Sequence, residues 1–442
     1  MRSTPQPPGP ASGSPSRPAP GPRAALIGVG DGPLLSDRAH ENFAEIGRVL
    51  GRHGVCVVRA DSVPGTSEAI ALALRTAEAD LCVVVGGFGP GTDDPASVAV
   101  TRALGREVYD HRGDLEAEAI ADEDRRGEGI SERRGPRAPE GATVLEDPSL
   151  GVTGFFIEVG DRLVAVVADA PAAVRGLASG ALGSRVAARW PGLRPRWRTY
   201  RVIGPSIDAA RRLAAEAIAG VGVSAVTVSI AVDGPELALR VVALDVEADL
   251  DLDLAALDGP MIAAFGDALH GIGEADLAAR VVAVLVEHGL RIASAESCTG
   301  GRVASLITGV AGASACIHGA IVAYDNGVKE AALGVPAEVL RAHGAVSEPV
   351  ARAMAAGVRR AFPGHVDVGV GITGIAGPGG GSAQKPVGTV DFAVDDGEVS
   401  RHRRLHLTGD RPAIQRAAAI WALRLVWDRL RERGLCAPAL LD

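Results

Sequence analysis

The apolar positions of this chain fall into short runs that alternate with helically spaced segments. The first run, "RAALIGVG", ends in glycine; a helical pattern follows around Asn42 to Leu50, then "GVCVVRA" as a second strand. "SEAIALALRTAEA" reads as a helix with Ser67 as its N-cap, and "LCVVVGGFGPGTDD" as a buried strand entering a glycine-rich loop. Strands alternating with helices predict a parallel sheet covered on both faces, with a ligand site at the C-terminal strand ends. The polar stretch at 122–137 reads as a solvated loop or helix end.

The pattern changes near "WRTYRVIG". A helix, "IDAARRLAAEAIAG", is followed by two alternating runs flanking Asp233-Gly234-Pro235, a hairpin signal. This predicts a small α+β linking domain over 195–272 that holds no cluster of chemically active side chains. A third unit, 274–434, opens with the amphipathic "ADLAARVVAVLVEHG". "LRIASAES" is its first strand and "GGRVASLITGV" a helix with Val303, Leu306, Ile307 and Val310 inward. "GAIVAYDNGVKEAALGV" runs from strand to helix, and Ser347 caps "SEPVARAMAAGVRRAF". "VDVGVGITGIAGPGGGS" feeds a buried strand into a glycine loop, "VGTVDFAV" is a further strand, and a long helix closes the unit.

Composition narrows the picture. Of 442 residues, 47% are hydrophobic and 22% charged, enough for several cores; aromatics at 3% leave Val, Ala and Leu to build them. A net charge of −9 argues against direct nucleic-acid binding. The five cysteines form no CxxC pair, so no zinc site or disulfide framework is expected, and a reduced, cytoplasmic setting fits. No apolar run approaches the ~18 residues of a membrane span. The Pro-, Gly- and Ser-rich residues 1–22 read as a disordered tail.

The candidate chemistry lies in "SAESCTGGRVASLITG", 294–309. Strand, Ser297, then helix is the geometry of a nucleophile, with helix N-terminal amides available to a developing oxyanion. Gly300 and Gly301 let a substrate approach the backbone. The alternative is that Ser297 or Thr299 is only an N-cap. For a base the unit offers His288, His318, His343 and Lys329. Lys329 and Lys385 are the only lysines among 45 basic residues, so each is expected to do what arginine cannot. In "TGIAGPGGGSAQKPVG", consecutive amides can cradle a phosphate, with Lys385 adding charge.

"AESCTGG", "VAYDNGVK", "GAVSEPVA", "TGIAGPGGG" and "KPVGTV", in this order, resemble the C-terminal domain of the CinA family of competence/damage-inducible proteins, itself similar to the nicotinamide-nucleotide amidohydrolase PncC. The resemblance implies Ser297 as nucleophile and Lys329 as its base, with Tyr324 and Asn326 from the same motif as Lys329. Cys298 is an alternative nucleophile. The catalytic set is then Ser297, Lys329 and Tyr324. The substrate-facing set is Glu296, Thr299, Gly300, Gly301, Asn326, Thr373, Gly374, Gly377, Gly379, Gly380 and Lys385. The implied reaction is hydrolysis of nicotinamide mononucleotide to nicotinate mononucleotide and ammonia, without a metal.

Residues 23–190 resemble the MoaB/MogA-like domain of the same family, whose active members cleave ADP-ribose-like dinucleotides. "VGGFGPGTDDPAS" keeps glycines, Asp93 and Asp94, but the family's Gly-Thr-Glu reads Gly30-Asp31-Gly32 here, and its Gly-Asp-Asn-Glu and Gly-Val-Pro-Ser-Glu runs are also altered. The implication is a kept fold with a lost activity; a divalent metal is expected only if that domain works. The fold expected is α/β throughout: a three-layer MoaB/MogA-like domain, the small α+β linking domain, and a C-terminal α/β/α amidohydrolase domain. The alternatives are a dinucleotide pyrophosphatase or a non-enzymatic competence- or damage-associated scaffold. A homo-oligomer is expected, and no membrane partner.

Overall fold

The structure, a computed structural model, describes residues 21–30, 37–88, 94–104, 108–110, 137–147, 151–193, 195, 197–221, 226–243, 254–437 and 440–441. The expected tail up to residue 20, most of the 122–137 stretch and Asp93 lie outside the described residues. The chain divides into two compact units, one holding the N-terminal elements through Trp197, the other 198–242 and 253–442.

The first unit runs β1 (Arg23–Val29), α1 (Asp37–Arg52), β2 (Cys56–Val63), α2 (Ser67–Thr76), β3 (Leu81–Val85) and α3 (Pro95–Leu104). It continues through a short pair, β4 (Val108–Asp110) and β5 (Arg137–Pro139), to β6 (Thr143–Asp147), β7 (Gly151–Val159), β8 (Arg162–Val167), α4 (Pro171–Gly176) and α5 (Leu182–Arg189). The sheet order is β2-β1-β3-β8-β7-β6. Its first four strands are parallel, but β7 pairs antiparallel with β8 and β6 antiparallel with β7, so the sheet is mixed and not wholly parallel as expected. Alternation along the strands builds three layers. Ile27, Val84 and Val166 face Ile70 and Val100; Leu26, Val83 and Ala165 face Ile46, Leu50 and Val186. Thr66, not Ser67, caps α2: its hydroxyl accepts from the Ala69 amide at 3.3 Å. Asp94 caps α3, accepting from the Ser97 amide and hydroxyl.

In the second unit the linking elements are β9 (Trp197–Ile203), α6 (Ile207–Val221), β10 (Val226–Asp233), β11 (Glu236–Ala243), α7 (Asp258–Phe265) and β12 (Leu269–Ile272). They form a sheet ordered β10-β11-β9-β12, with β18 (Leu440–Leu441) beyond β12, and confirm the hairpin about Gly234, whose φ is +57°. Here the sequence reading missed a buried ionisable group: His270 Nε2 lies 3.3 Å from Glu236 Oε1, which also meets Arg201. Burial holds the His270 pKa below its ordinary value, against the opposing pull of Glu236.

The remaining elements are α8 (Leu277–Glu287), β13 (Ile292–Glu296), α9 (Arg302–Thr308), β14 (Ile317–Val322), α10 (Asn326–Leu333), α11 (Ala337–His343), α12 (Glu348–Ala361), β15 (Val368–Gly374), β16 (Thr389–Asp395), β17 (Ser400–His406), α13 (Arg411–Glu432) and β18 (Leu440–Leu441). The sheet order is β14-β13-β15-β16-β17, parallel across β14, β13 and β15 and antiparallel beyond. Val370, Ile372 and Phe392 pack under α8 and α13, whereas Ala293 and Ala295 face Met354 and Val358 of α12. A methyl group on Gly371 would lie 2.2 Å from the Ala351 carbonyl oxygen, so glycine there lets α12 lie directly on β15. Linking and closing elements share one core boundary: Trp427 of α13 is fully buried beside His270, and Arg424 donates to the carbonyls of Asp267 and Ala268.

Candidate active site

β13 ends at Glu296, and the ladder continues one residue further, where the Ser297 amide donates to the Ile372 carbonyl at 3.0 Å. The chain then turns through Gly300 (φ +60°) and Gly301 (φ +93°), conformations that an L side chain rarely adopts. This sets Ser297, 8% exposed, between the β13 end and the start of α9.

Glu296 and Thr299 depart from expectation. Glu296 is fully buried. One carboxylate oxygen accepts from the amides of Gly301 (2.9 Å) and Val303 (3.1 Å); the other accepts from the Ala304 amide (2.9 Å) and the Ser294 hydroxyl (3.1 Å). The amides expected to meet an oxyanion are therefore already occupied, and Glu296 is a helix cap, not a substrate contact. Its reach of five to eight residues forward is no familiar capping spacing, so the sequence did not reveal it. Thr299 is also fully buried, its hydroxyl without a partner among the described residues, so it does not face solvent.

Asp325 caps α10, its carboxylate accepting from the Gly327 amide at 2.7 Å. That start places Asn326 on the exposed first position and turns Lys329 inward. Lys329 is 1% exposed and donates to the Tyr324 carbonyl at 3.0 Å. Burial lowers its pKa, with Asp325 and Cys298 pulling weakly the other way. No hydrogen bond joins its Nζ to Ser297 Oγ among the described residues. Cys298 is buried, and burial pushes its thiol up to about 12, which leaves almost no thiolate at neutral pH. The Gln415 side chain holds its carbonyl at 2.8 Å. Two of the histidines considered as bases are engaged elsewhere: the ring nitrogens of His288 and His318 meet the Leu435 and Pro363 carbonyls. His343 sits exposed at the end of α11.

The glycine loop begins at Gly374, where an added methyl would lie 3.0 Å from Cys298 Sγ; its root thus borders the nucleophile turn. Gly379 and Gly380 are exposed and Gly377 is buried. Two expected substrate contacts are used otherwise. The Thr373 hydroxyl donates to the Ala345 carbonyl (2.8 Å), and the Lys385 ammonium donates to those of His343 (2.9 Å) and Val346 (2.6 Å). Ser347 occupies the N-cap position of α12, but its hydroxyl donates back to the Gly344 carbonyl.

The cation that faces this region is one the sequence reading omitted. Arg411, exposed on the first turn of α13, donates to the Gly377 carbonyl and to the Tyr324 hydroxyl, both at 2.8 Å. Only folding brings the start of the last helix to the "VAYDNGVK" motif; no spacing rule links them. Among the described residues no group of three or more His, Cys, Asp or Glu is placed to hold a metal, and no helix is long and apolar enough to cross a membrane.

Residues 274–430 match the family model described as the CinA C-terminal domain, and 25–179 match the one described as a probable molybdopterin binding domain. A CinA-like protein from Anaeromyxobacter sp. (strain Fw109-5) is 38% identical over 421 residues, 92% of this chain and 98% of the relative. This chain belongs to the CinA family. A CinA-like protein of Gemmatimonas aurantiaca is 36% identical over 92% of this chain and 95% of its own length. Among solved CinA-related structures, the competence/damage inducible protein CihA from Agrobacterium tumefaciens is 39% identical, covers 34% of this chain and 91% of its own, and gives a TM-score of 0.33. The CinA assignment covers both the MoaB/MogA-like and the C-terminal domain, as the motifs implied.

Proposed function

We propose that this CinA family chain hydrolyses the carboxamide of nicotinamide mononucleotide to nicotinate mononucleotide and ammonia. The observation that carries the reading is Lys329: a fully buried lysine whose ammonium donates to the Tyr324 carbonyl, in the loop after β14, the strand paired with β13; burial lowers its pKa. A neutral amine is what a serine needs as its base. Ser297 Oγ attacks the carboxamide carbon while Lys329 takes its proton. The ammonium returns that proton to the departing nitrogen, and ammonia leaves. Water, deprotonated by Lys329, then cleaves the nicotinoyl ester and restores Ser297. For this, Nζ turns from the Tyr324 carbonyl toward Oγ.

With the α9 amides taken by Glu296 and the Gly300 amide donating to the Ser297 carbonyl, the oxyanion donors fall to the glycine loop. Arg411 takes the role first given to Lys385, a cation for the nucleotide phosphate. The step balances with water alone. Ammonia release from nicotinamide mononucleotide by the purified chain is the test; no turnover with any pyridine nucleotide would favour the scaffold reading. In the N-terminal domain, Asp94 serves as a helix cap, which supports the reading that its dinucleotide chemistry is lost.

A further inference from the structure

The turn between α11 and α12 has an unusual set of partners. Each of its four consecutive carbonyls accepts from a side chain: His343 from Lys385, Gly344 from the Ser347 hydroxyl, Ala345 from the Thr373 hydroxyl, and Val346 from Lys385 again. A helix end leaves its last carbonyls without intrahelical partners and carries partial negative charge, so a cation suits it. Lys385 meets two of these carbonyls, at 2.9 and 2.6 Å.

The other end of this contact is the glycine loop. Ser382 and Lys385 close a tight turn, the Ser382 amide donating to the Lys385 carbonyl and the Lys385 amide to the Ser382 hydroxyl. At its root the loop is fixed by Ile375 to Thr389, by Gly388 to Ile375, and by Arg411 to Gly377. Between those roots, 378–384 is exposed. The Lys385 ammonium is thus what ties the outer part of the loop to the body of the domain.

We propose that Lys385 is a positioning residue: a latch that holds the glycine loop against the 343–346 turn and so keeps it in place beside Ser297, Tyr324 and Arg411. Its kinetic consequence rests on the deamidase reading. A compact ammonium can send separate N–H groups to two carbonyls that lie three residues apart. A guanidinium presents its donors in one planar fork suited to carboxylates and phosphates. That difference accounts for a lysine at 385 in a chain that otherwise uses arginine almost throughout.

The test is hydrogen–deuterium exchange on the full chain, with kinetics on the same samples. In Lys385→Met, amides of 376–388 and 343–347 are expected to exchange about tenfold faster, the effect of losing charge-assisted hydrogen bonds. Peptides from β13 and α13 keep their protection. The KM for nicotinamide mononucleotide rises about tenfold while kcat stays within about twofold, since the loop is misplaced but the nucleophile and base are intact. Unchanged exchange of 376–388 overturns the latch, as does a fall in kcat with KM and exchange unchanged. If Lys385→Met loses protection everywhere, Lys385→Arg decides: faster exchange confined to the loop and turn supports the latch, and wild-type exchange overturns it. A loosened loop in a chain whose wild type releases no ammonia leaves the latch standing and overturns the deamidase reading instead.

Discussion

Arg411 donates to the hydroxyl of Tyr324 at 2.8 Å, joining the first turn of the last helix to a motif 87 positions earlier. The same guanidinium holds the Gly377 carbonyl, so a single exposed cation stands between the glycine loop and the Lys329 motif. Arg411→Met should therefore raise the KM for nicotinamide mononucleotide by about 10- to 100-fold, the worth of a charged hydrogen bond to phosphate. Nicotinamide riboside, which lacks the phosphate, should lose far less. Equal losses on both substrates would show that Arg411 only orders Tyr324.

Ser297→Ala should abolish ammonia release and leave the melting temperature within a few degrees of wild type, because the hydroxyl makes no structural bond among the described residues. Cys298→Ala should keep most of the activity, since a thiol with a pKa near 12 is not a nucleophile at neutral pH. Reversed outcomes in these two variants would move the covalent step to sulfur.

Lys329 links activity to pH and to stability. Its folded pKa lies below the ordinary 10.5. Between those two values the unfolded chain holds a proton that the folded chain does not. Stability therefore rises with pH across that window, and below it the fold carries the full cost of a buried charge. Turnover should rise with pH through the folded pKa. Lys329→Met should be inactive, at least as stable as wild type near pH 7, and without the rise in stability as pH climbs toward 10.5. Lys329→Arg should be nearly as inactive as Lys329→Ala, because a guanidinium keeps its proton. An Arg variant with most of the wild-type rate would reduce Lys329 to an electrostatic anchor.

Glu296→Ala should destabilise the second unit by about 2–4 kcal/mol, since three amides at the start of α9 and the buried Ser294 hydroxyl lose their acceptor together. Chemical denaturation would measure it. A loss of activity with unchanged stability would instead return Glu296 to the substrate-facing set.

Residues 198–442 should melt in one transition and retain deamidase activity. Residues 274–442 should be active but melt lower, because truncation there uncovers Trp427 and strips Arg424 of its carbonyl partners. Residues 1–190 should release no AMP from ADP-ribose with magnesium or cobalt. Metal-dependent cleavage by that fragment would show that its site has survived.

Much of this was legible because strand and helix periods are local. The runs at 23–29, 81–85, 292–296 and 368–374 are apolar and bounded by glycines or polar turns, and all are strands. β17, "SRHRRLH", escaped because its exposed edge carries charge where a strand signal needs apolar alternation. The parallel sheet expected from the alternation of strands and helices does not extend to β7 and β6, because strand direction there is set by long-range pairing. At the site, Ser297 and Lys329 stood out by residue type and position. The roles of Glu296, Thr373, Lys385 and Arg411 did not, because each depends on which backbone group lies opposite once the chain is folded.

Trp427 gives the second unit its own optical label. Of the four tryptophans, Trp190, Trp197 and Trp421 are partly exposed and Trp427 is wholly enclosed, its ring 6.4 Å from that of His270. Emission from an indole in such surroundings lies at short wavelength and shifts to the red only when water reaches it. The blue edge of the spectrum therefore reports whether β12 and α13 are still joined, while the partly exposed indoles dominate the red edge. Monitored during unfolding at the two edges, one unmodified sample can show whether the linking strands part from the closing helix before the rest of the chain gives way.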